Sequence, residues 1–212
     1  MVAFDSQYRY RPENDPTPPA KEVPGKNRLI EYELEWTPNG TWKRFDFSDG
    51  RQFAEYTSHR TLLGKPLLHY VSGVDPETNR VKTARGFIAI GRKAVGIIAI
   101  GQYARGFIAI GQLAIGILAF GQCALGLTVG IGQLGTGALA LGQLAIGGVV
   151  AGQFAFGAFF AAGQFAVAWT AIGGACVGYF AYGVQCAGKH VWDRSHADPQ
   201  AIAVFTNLFR WW

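Results

Sequence analysis

Gly111-Gln112-Leu113-Ala114-Ile115-Gly116-Ile117-Leu118-Ala119-Phe120 is the clearest copy of a pattern that runs from Ala84 to Gly188. The pattern repeats every ten residues, with a half-repeat of five. A glycine opens each ten at Gly91, Gly101, Gly111, Gly121, Gly132, Gly142, Gly152, Gly163, Gly173 and Gly183, and a second falls half-way, as at Gly96, Gly116 and Gly147. The spacing slips by one residue near Val129–Ile131 and again near Phe159–Ala162, where bulged corners are expected. A helix needs apolar residues every three to four positions, and each interior glycine would cost it roughly 1 kcal/mol. Stacked short strands with identical corners accept the period without such a cost, so the stretch reads as β-structure.

Written as Gly-Gln-Leu-Ala-Ile, the unit resembles that of the pentapeptide-repeat family, a small residue, a polar one, Leu or Phe, a small one and a variable one. That resemblance implies a four-sided β-solenoid with about twenty residues per coil, hence about five coils here. It also implies which residues face inward: the glycine, and the large residue two later, such as Ile88, Ile98, Leu113, Leu118, Cys123 and Phe180. The outward positions are then apolar as well, among them Ile115, Ile117, Phe120, Leu125, Phe156 and Trp169.

The whole chain is 16% charged with a net charge of +5, yet no Asp, Glu, Lys or Arg occurs from Gly106 through Gly188. An apolar exterior of that length exceeds the few hundred Å² (roughly) that soluble monomers leave uncovered. Lipid, further copies of the chain or an apolar partner surface could cover it. Five coils at ~4.8 Å spacing would stand ~25 Å tall, close to the ~30 Å hydrocarbon core of a bilayer. A solenoid standing upright would pair its backbone between coils, leaving only its two ends unpaired. Arg80, Lys82, Arg85, Arg92, Lys93 and Arg105 gather before the charge-free stretch, as a cytoplasmic flank or an anionic-lipid contact requires. Trp169, Tyr179, Phe180, Tyr182 and Trp192 cluster towards its end, as aromatic residues do at membrane interfaces. The blander reading makes the basic cluster a solvated first coil and the aromatics a plug for the last one.

Twenty residues per coil would place Gln102, Gln122, Gln143 and Gln164 on one side and Gln112, Gln133 and Gln153 on the opposite side. Stacked at strand spacing, their amides could bond one another in ladders. A polar path or a ligand surface is the sharper alternative.

Outward from the repeat, residues 1–26 are polar and proline-rich, without a signal peptide, and read as a flexible arm on a chain that begins in the cytoplasm. From Asn27 to Asn79 a small antiparallel meander is expected. Ile30, Tyr32, Leu34 and Trp36 alternate with Glu31, Glu33 and Glu35, and a hairpin turn at Asn39-Gly40 would set Glu35 opposite Arg44 and Leu34 opposite Phe45. Gly64-Lys65-Pro66-Leu67-Leu68-His69, the turn Asp75-Pro76-Glu77-Thr78 and the first repeats then resemble a family of uncharacterised bacterial proteins with Ala/Gly-rich five-residue repeats. That family commonly closes with a His and an Asp-Pro pair, matched by His190 and Asp198-Pro199. No activity comes with that resemblance. The solenoid proper is assigned to residues 80–190. Residues 191–212 form a cap, with Asp198 and Pro199 opening an amphipathic helix that ends in Phe209-Arg210-Trp211-Trp212.

Signs of catalysis are poor. His59, His69, His190 and His196 lack metal spacing, and the set His190, Asp193, His196 and Asp198 is the nearest approach to one. Cys123, Cys176 and Cys186 read as buried free thiols of a reducing compartment. No nucleotide loop, metal or cofactor site is expected, and no nucleic-acid partner, since the basic residues are not interleaved with a binding face. The sequence therefore predicts an all-β, non-enzymatic structural protein. Its apolar solenoid wall would be embedded in or bound to a membrane, with the N-terminal part cytoplasmic, alone, as a homo-oligomer or in a larger membrane complex. The alternatives are a soluble solenoid assembling into fibres or sheets, and a binding module for an apolar ligand or partner.

Overall fold

The computed structural model describes Glu22–Val23 and residues 26–210, with side chains from Ile30 onward. Most of the expected N-terminal arm, and Trp211-Trp212, lie outside the described residues. Strand dominates, with one short C-terminal helix, so the chain is all-β as expected. By its internal contacts it divides into two compact units, residues 1–101 and 102–212.

In the first unit, β1 (Glu22–Val23) and β2 (Lys26–Leu29) form a short antiparallel pair. β3 (Glu33–Thr37), β4 (Gly40–Asp46) and β5 (Gln52–Ser58) are the expected meander. The short strands β6 (Thr61–Leu62) and β7 (Lys65–Pro66) pair with each other. β8 (Leu68–Ser72) pairs antiparallel with β5 and parallel with β9 (Thr83–Gly91), which pairs parallel with the start of β10 (Lys93–Trp192). The sheet is thus mixed and open. Phe53 and Val71 are its most buried large side chains, and Tyr32 and Phe45 pack on the Phe53 side.

The hairpin register differs from expectation. Glu33 faces Arg44, Leu34 faces Lys43 and Glu35 faces Trp42, because the loop residues are Pro38-Asn39 and not Asn39-Gly40. Proline's fixed negative φ suits the first central position of an ordinary turn. Gly40 instead pairs with Thr37 and lies against β5, where a Cβ would meet Tyr56 and the Thr57 carbonyl. The shift is two residues, so every side chain keeps its face, and Arg44 still reaches Glu35 diagonally at 2.7 Å.

The repeat also departs from the twenty-residue expectation. β10 pairs with β9 at an offset of ten residues: Ala94 with Ala84, Gly96 with Gly86, Ala99 with Ala89. In the second unit, a Cβ added at Gly121 would meet the Gly111 carbonyl, at Gly142 that of Gly132, and at Gly183 that of Gly173. The same relation links Gly132 to Gly121 and Gly163 to Gly152, so each one-residue slip is absorbed as an offset of eleven. Glycine is required in this column because the carbonyl of the preceding repeat occupies the place of its side chain.

The inward residue is the alanine of each five. Ala104, Ala109, Ala114, Ala119, Ala124, Ala140, Ala145, Ala155, Ala166, Ala171 and Ala181 are fully buried. Its neighbours, Leu113, Ile115, Leu118, Cys123 and Leu134 among them, are only part-buried, and Leu139, Val149, Phe154 and Phe159 are exposed. The expected inward set is therefore displaced outward. Alternation along a strand sends the residues flanking an inward alanine to the other face.

Candidate functional site

Two surfaces of the second unit follow from this geometry. The first is apolar: Leu127 is 73% exposed, Phe159 71%, Trp169 57% and Phe154 53%. Of the residues expected to contact a membrane or partner, Leu125, Phe156 and Trp169 are exposed, whereas Ile115, Ile117, Phe120, Tyr179 and Tyr182 are part-buried. Arg85, Arg92, Lys93 and Arg105 are exposed. Among the described residues, no helix is long and apolar enough to cross a membrane, which leaves strands unaddressed.

The second surface is a groove of about 490 Å³ lined by Gln112, Gln122, Gln133, Gln143 and Gln153, with Cys123, Leu134, Leu144 and Phe154 beside them. The expected division of the glutamines between opposite sides is wrong. A ten-residue offset brings every repeat's glutamine onto one line, where twenty residues would have separated alternate ones. Gln102, Gln112, Gln122, Gln133, Gln143, Gln153 and Gln164 are all exposed. Among the described residues, no hydrogen bond joins the side chains of the five groove glutamines, so their amides face solvent.

Aromatic side chains stack with the same offset. Trp169 lies on Tyr179 at 4.5 Å between centroids and nearly parallel, with Lys189 over the Tyr179 ring. Tyr182 packs against Trp192, and Phe180 against His190.

The cysteines correct another expectation. Cys176 and Cys186, one repeat apart at the inward alanine position, are joined by a disulfide, and Cys123 is free. Their spacing of ten equals the repeat. Only an offset of ten brings residues so spaced into contact, with Cα atoms 4.6 Å apart.

The polar clusters hold the molecule together. In the first unit, His69 Nδ1 lies 2.8 Å from the Arg85 N–H and 3.2 Å from the Arg85 carbonyl, and its Nε2 lies 2.9 Å from Glu55 Oε1. Lys82 Nζ donates to Glu55 Oε2 at 2.7 Å. Burial would raise the Glu55 carboxyl, but the bonds from His69 and Lys82 outweigh it and hold the group down at about 2. Both imidazole nitrogens are engaged, so neither is available as a general base. The sequence singled out His69, and Lys82 only as part of the basic flank, but neither Glu55 nor the pairing of the three; Glu55 and Lys82 lie 14 and 13 residues from His69 on other segments.

Asp75 closes its own turn, accepting from Glu77 N–H and from the Thr78 hydroxyl. Tyr32 donates to Glu77 at 3.0 Å; desolvation first, and that acidic neighbour second, push its hydroxyl well above the usual phenol range. At the other end His190 Nδ1 lies 3.3 Å from Asp198 Oδ1, and His196 pairs with Asp193. These are two separate pairs, and among the described residues no group of three His, Cys, Asp or Glu is placed to hold a metal. The His and Asp-Pro motifs thus fasten elements to one another. No protein family, curated protein or solved structure matches the chain.

Proposed function

We propose that this chain is a non-enzymatic structural protein, a β-solenoid of ten-residue coils whose apolar wall is embedded in or bound to a membrane. The observation that carries this reading is the inversion of side-chain size: alanines fill the interior while leucine, isoleucine, phenylalanine and tryptophan stand outside. A methyl group contributes only about 0.8 kcal/mol on burial, against about 1.5–3 kcal/mol for a large apolar side chain. Most of the available apolar surface is therefore left to be covered from without.

The shorter coil strengthens the geometric argument. Residues 106–188 make about eight rungs at ~4.8 Å, so ~38 Å of wall without a formal charge, bracketed by Arg105 and Lys189. A bilayer is ~30 Å thick in its hydrocarbon core and ~40–45 Å with its interfaces. The stacked aromatics near the last rungs suit an interfacial belt.

One observation favours a second reading, in which walls of separate molecules pack into fibres or sheets: the single row of exposed glutamine amides, a periodic feature that a second copy would match. Fractionation tests the choice. Membranes washed with high salt and carbonate should retain the protein until mild detergent releases it as small particles. Recovery without lipid as regular filaments would replace the membrane reading by self-assembly.

A further inference from the structure

Beyond Cys186 the chain makes its last half-repeat and turns back. Asp193 organises that turn, accepting from Ser195 N–H and His196 N–H at 2.7 Å each, and Asp198 N–H donates to the Val191 carbonyl at 3.0 Å. Helix α1 (Pro199–Phe209) follows, capped by Asp198, whose carboxylate accepts from Gln200 and Ala201 N–H. The helix is seated by Ala201 and Phe205, both fully buried, with Phe205 and Phe209 against the Tyr182 ring. Of the residues that anchor this cap, His190, Val191 and Trp192 belong to the last two half-repeats, while Tyr182 ends the repeat before them. Those half-repeats have a neighbouring repeat on one side only, so backbone pairing alone leaves them prone to fraying. The covalent tie that holds them to the body of the stack is Cys176–Cys186.

We infer that this disulfide is a redox-sensitive lock on the C-terminal cap. Cys176 is 2% exposed while Cys186 is part-buried, so an incoming dithiol reaches the Cys186 sulfur first. Its thiolate forms a mixed disulfide with Cys186, and Cys176 departs as a thiolate and takes up a proton. The second thiol of the dithiol then attacks its own sulfur in the mixed disulfide and releases the Cys186 thiol. Two electrons pass to the protein and the dithiol leaves as its own disulfide. Unlocked, the last repeat and α1 open together and expose the strand edge of the repeat beneath them. The device works whatever covers the apolar wall.

The test uses the full chain purified without reductant, in detergent if its recovery requires it. Alkylation under denaturing conditions counts thiols, and hydrogen exchange is followed by mass spectrometry over residues 183–210. Cys123 alone should alkylate before dithiothreitol and all three cysteines after it. Reduction should speed exchange in 183–210 by about tenfold or more while residues 106–170 stay protected. The double variant Cys176→Ala and Cys186→Ala places the repeat's own inward residue at both positions, so it should fold and exchange fast in 183–210 with or without dithiothreitol. Equal exchange before and after reduction, slow exchange in the double variant, or three free thiols in protein never exposed to reductant would overturn the inference.

Discussion

Ala94 pairs in parallel with Ala84, ten residues before it, and both are completely buried. Two methyl groups meeting where a leucine ladder was expected leave no room for enlargement. Replacing Ala114 by Leu should therefore destabilise the fold by about 1–3 kcal/mol through overpacking. Truncating its part-buried neighbour Leu113 to Ala should cost less than about 1 kcal/mol. Thermal denaturation of the two variants beside the parent checks the order. A larger loss at Leu113 would restore the twenty-residue arrangement.

The Glu55 carboxyl gives the first unit a predictable acid sensitivity. Its value in the folded chain, about 2, lies below the ordinary 4.5, so the stability it contributes is complete above 4.5 and is lost as the pH falls from there through about 2. Denaturation midpoints measured across that window should drop for the parent. Glu55→Gln should be less stable near neutrality by about 1–3 kcal/mol and show a flatter acid limb. A parallel fall in both proteins would assign the acid response to other groups.

Loss of the disulfide should also register as stability. Closing a loop of ten residues predicts about 2–3 kcal/mol, so the double alanine variant should unfold earlier than oxidised parent and no earlier than reduced parent. Calorimetry with and without dithiothreitol makes the comparison.

Asp198 caps α1 while bonding His190. Against the cost of partial desolvation, the N–H groups of Ala201 and Gln200 and the His190 ring hold its carboxyl below the usual range. Asp198→Ala should lower the unfolding midpoint and the helix content in circular dichroism, while Asp198→Asn retains most of the cap. Equal loss in both variants would point to the His190 pair in place of the cap.

For the apolar wall, Ile146→Lys with Phe156→Lys places two charges on exposed side chains without touching the alanine column. If lipid covers the wall, the variant should keep the strand signature of the parent yet appear in the carbonate wash. Retention by washed membranes at the parent's level would show that these faces do not meet lipid.

The sequence by itself determined the β-character, the period, the two slips, the meander, the capped helix and the charge-free stretch. Each of these is a local or compositional property: glycine spacing excludes helix, alternation marks strands, and Asp198-Pro199 opens a helix wherever it packs. The partners of Cys176 and Cys186 would have been legible only with the coil length known, since a spacing of ten becomes a contact only at an offset of ten. The coil length was not legible, because a five-residue period fits any whole number of sides. That number follows from how the strands stack, and here successive repeats pair in parallel at an offset of ten residues, alanine on alanine. Everything downstream of it changed with the tertiary structure: the inward column, the single line of glutamines and the disulfide. The Glu55–His69–Lys82 cluster was equally hidden, since the antiparallel pairing of β5 with β8 and the parallel pairing of β8 with β9, and not sequence proximity, bring its members together.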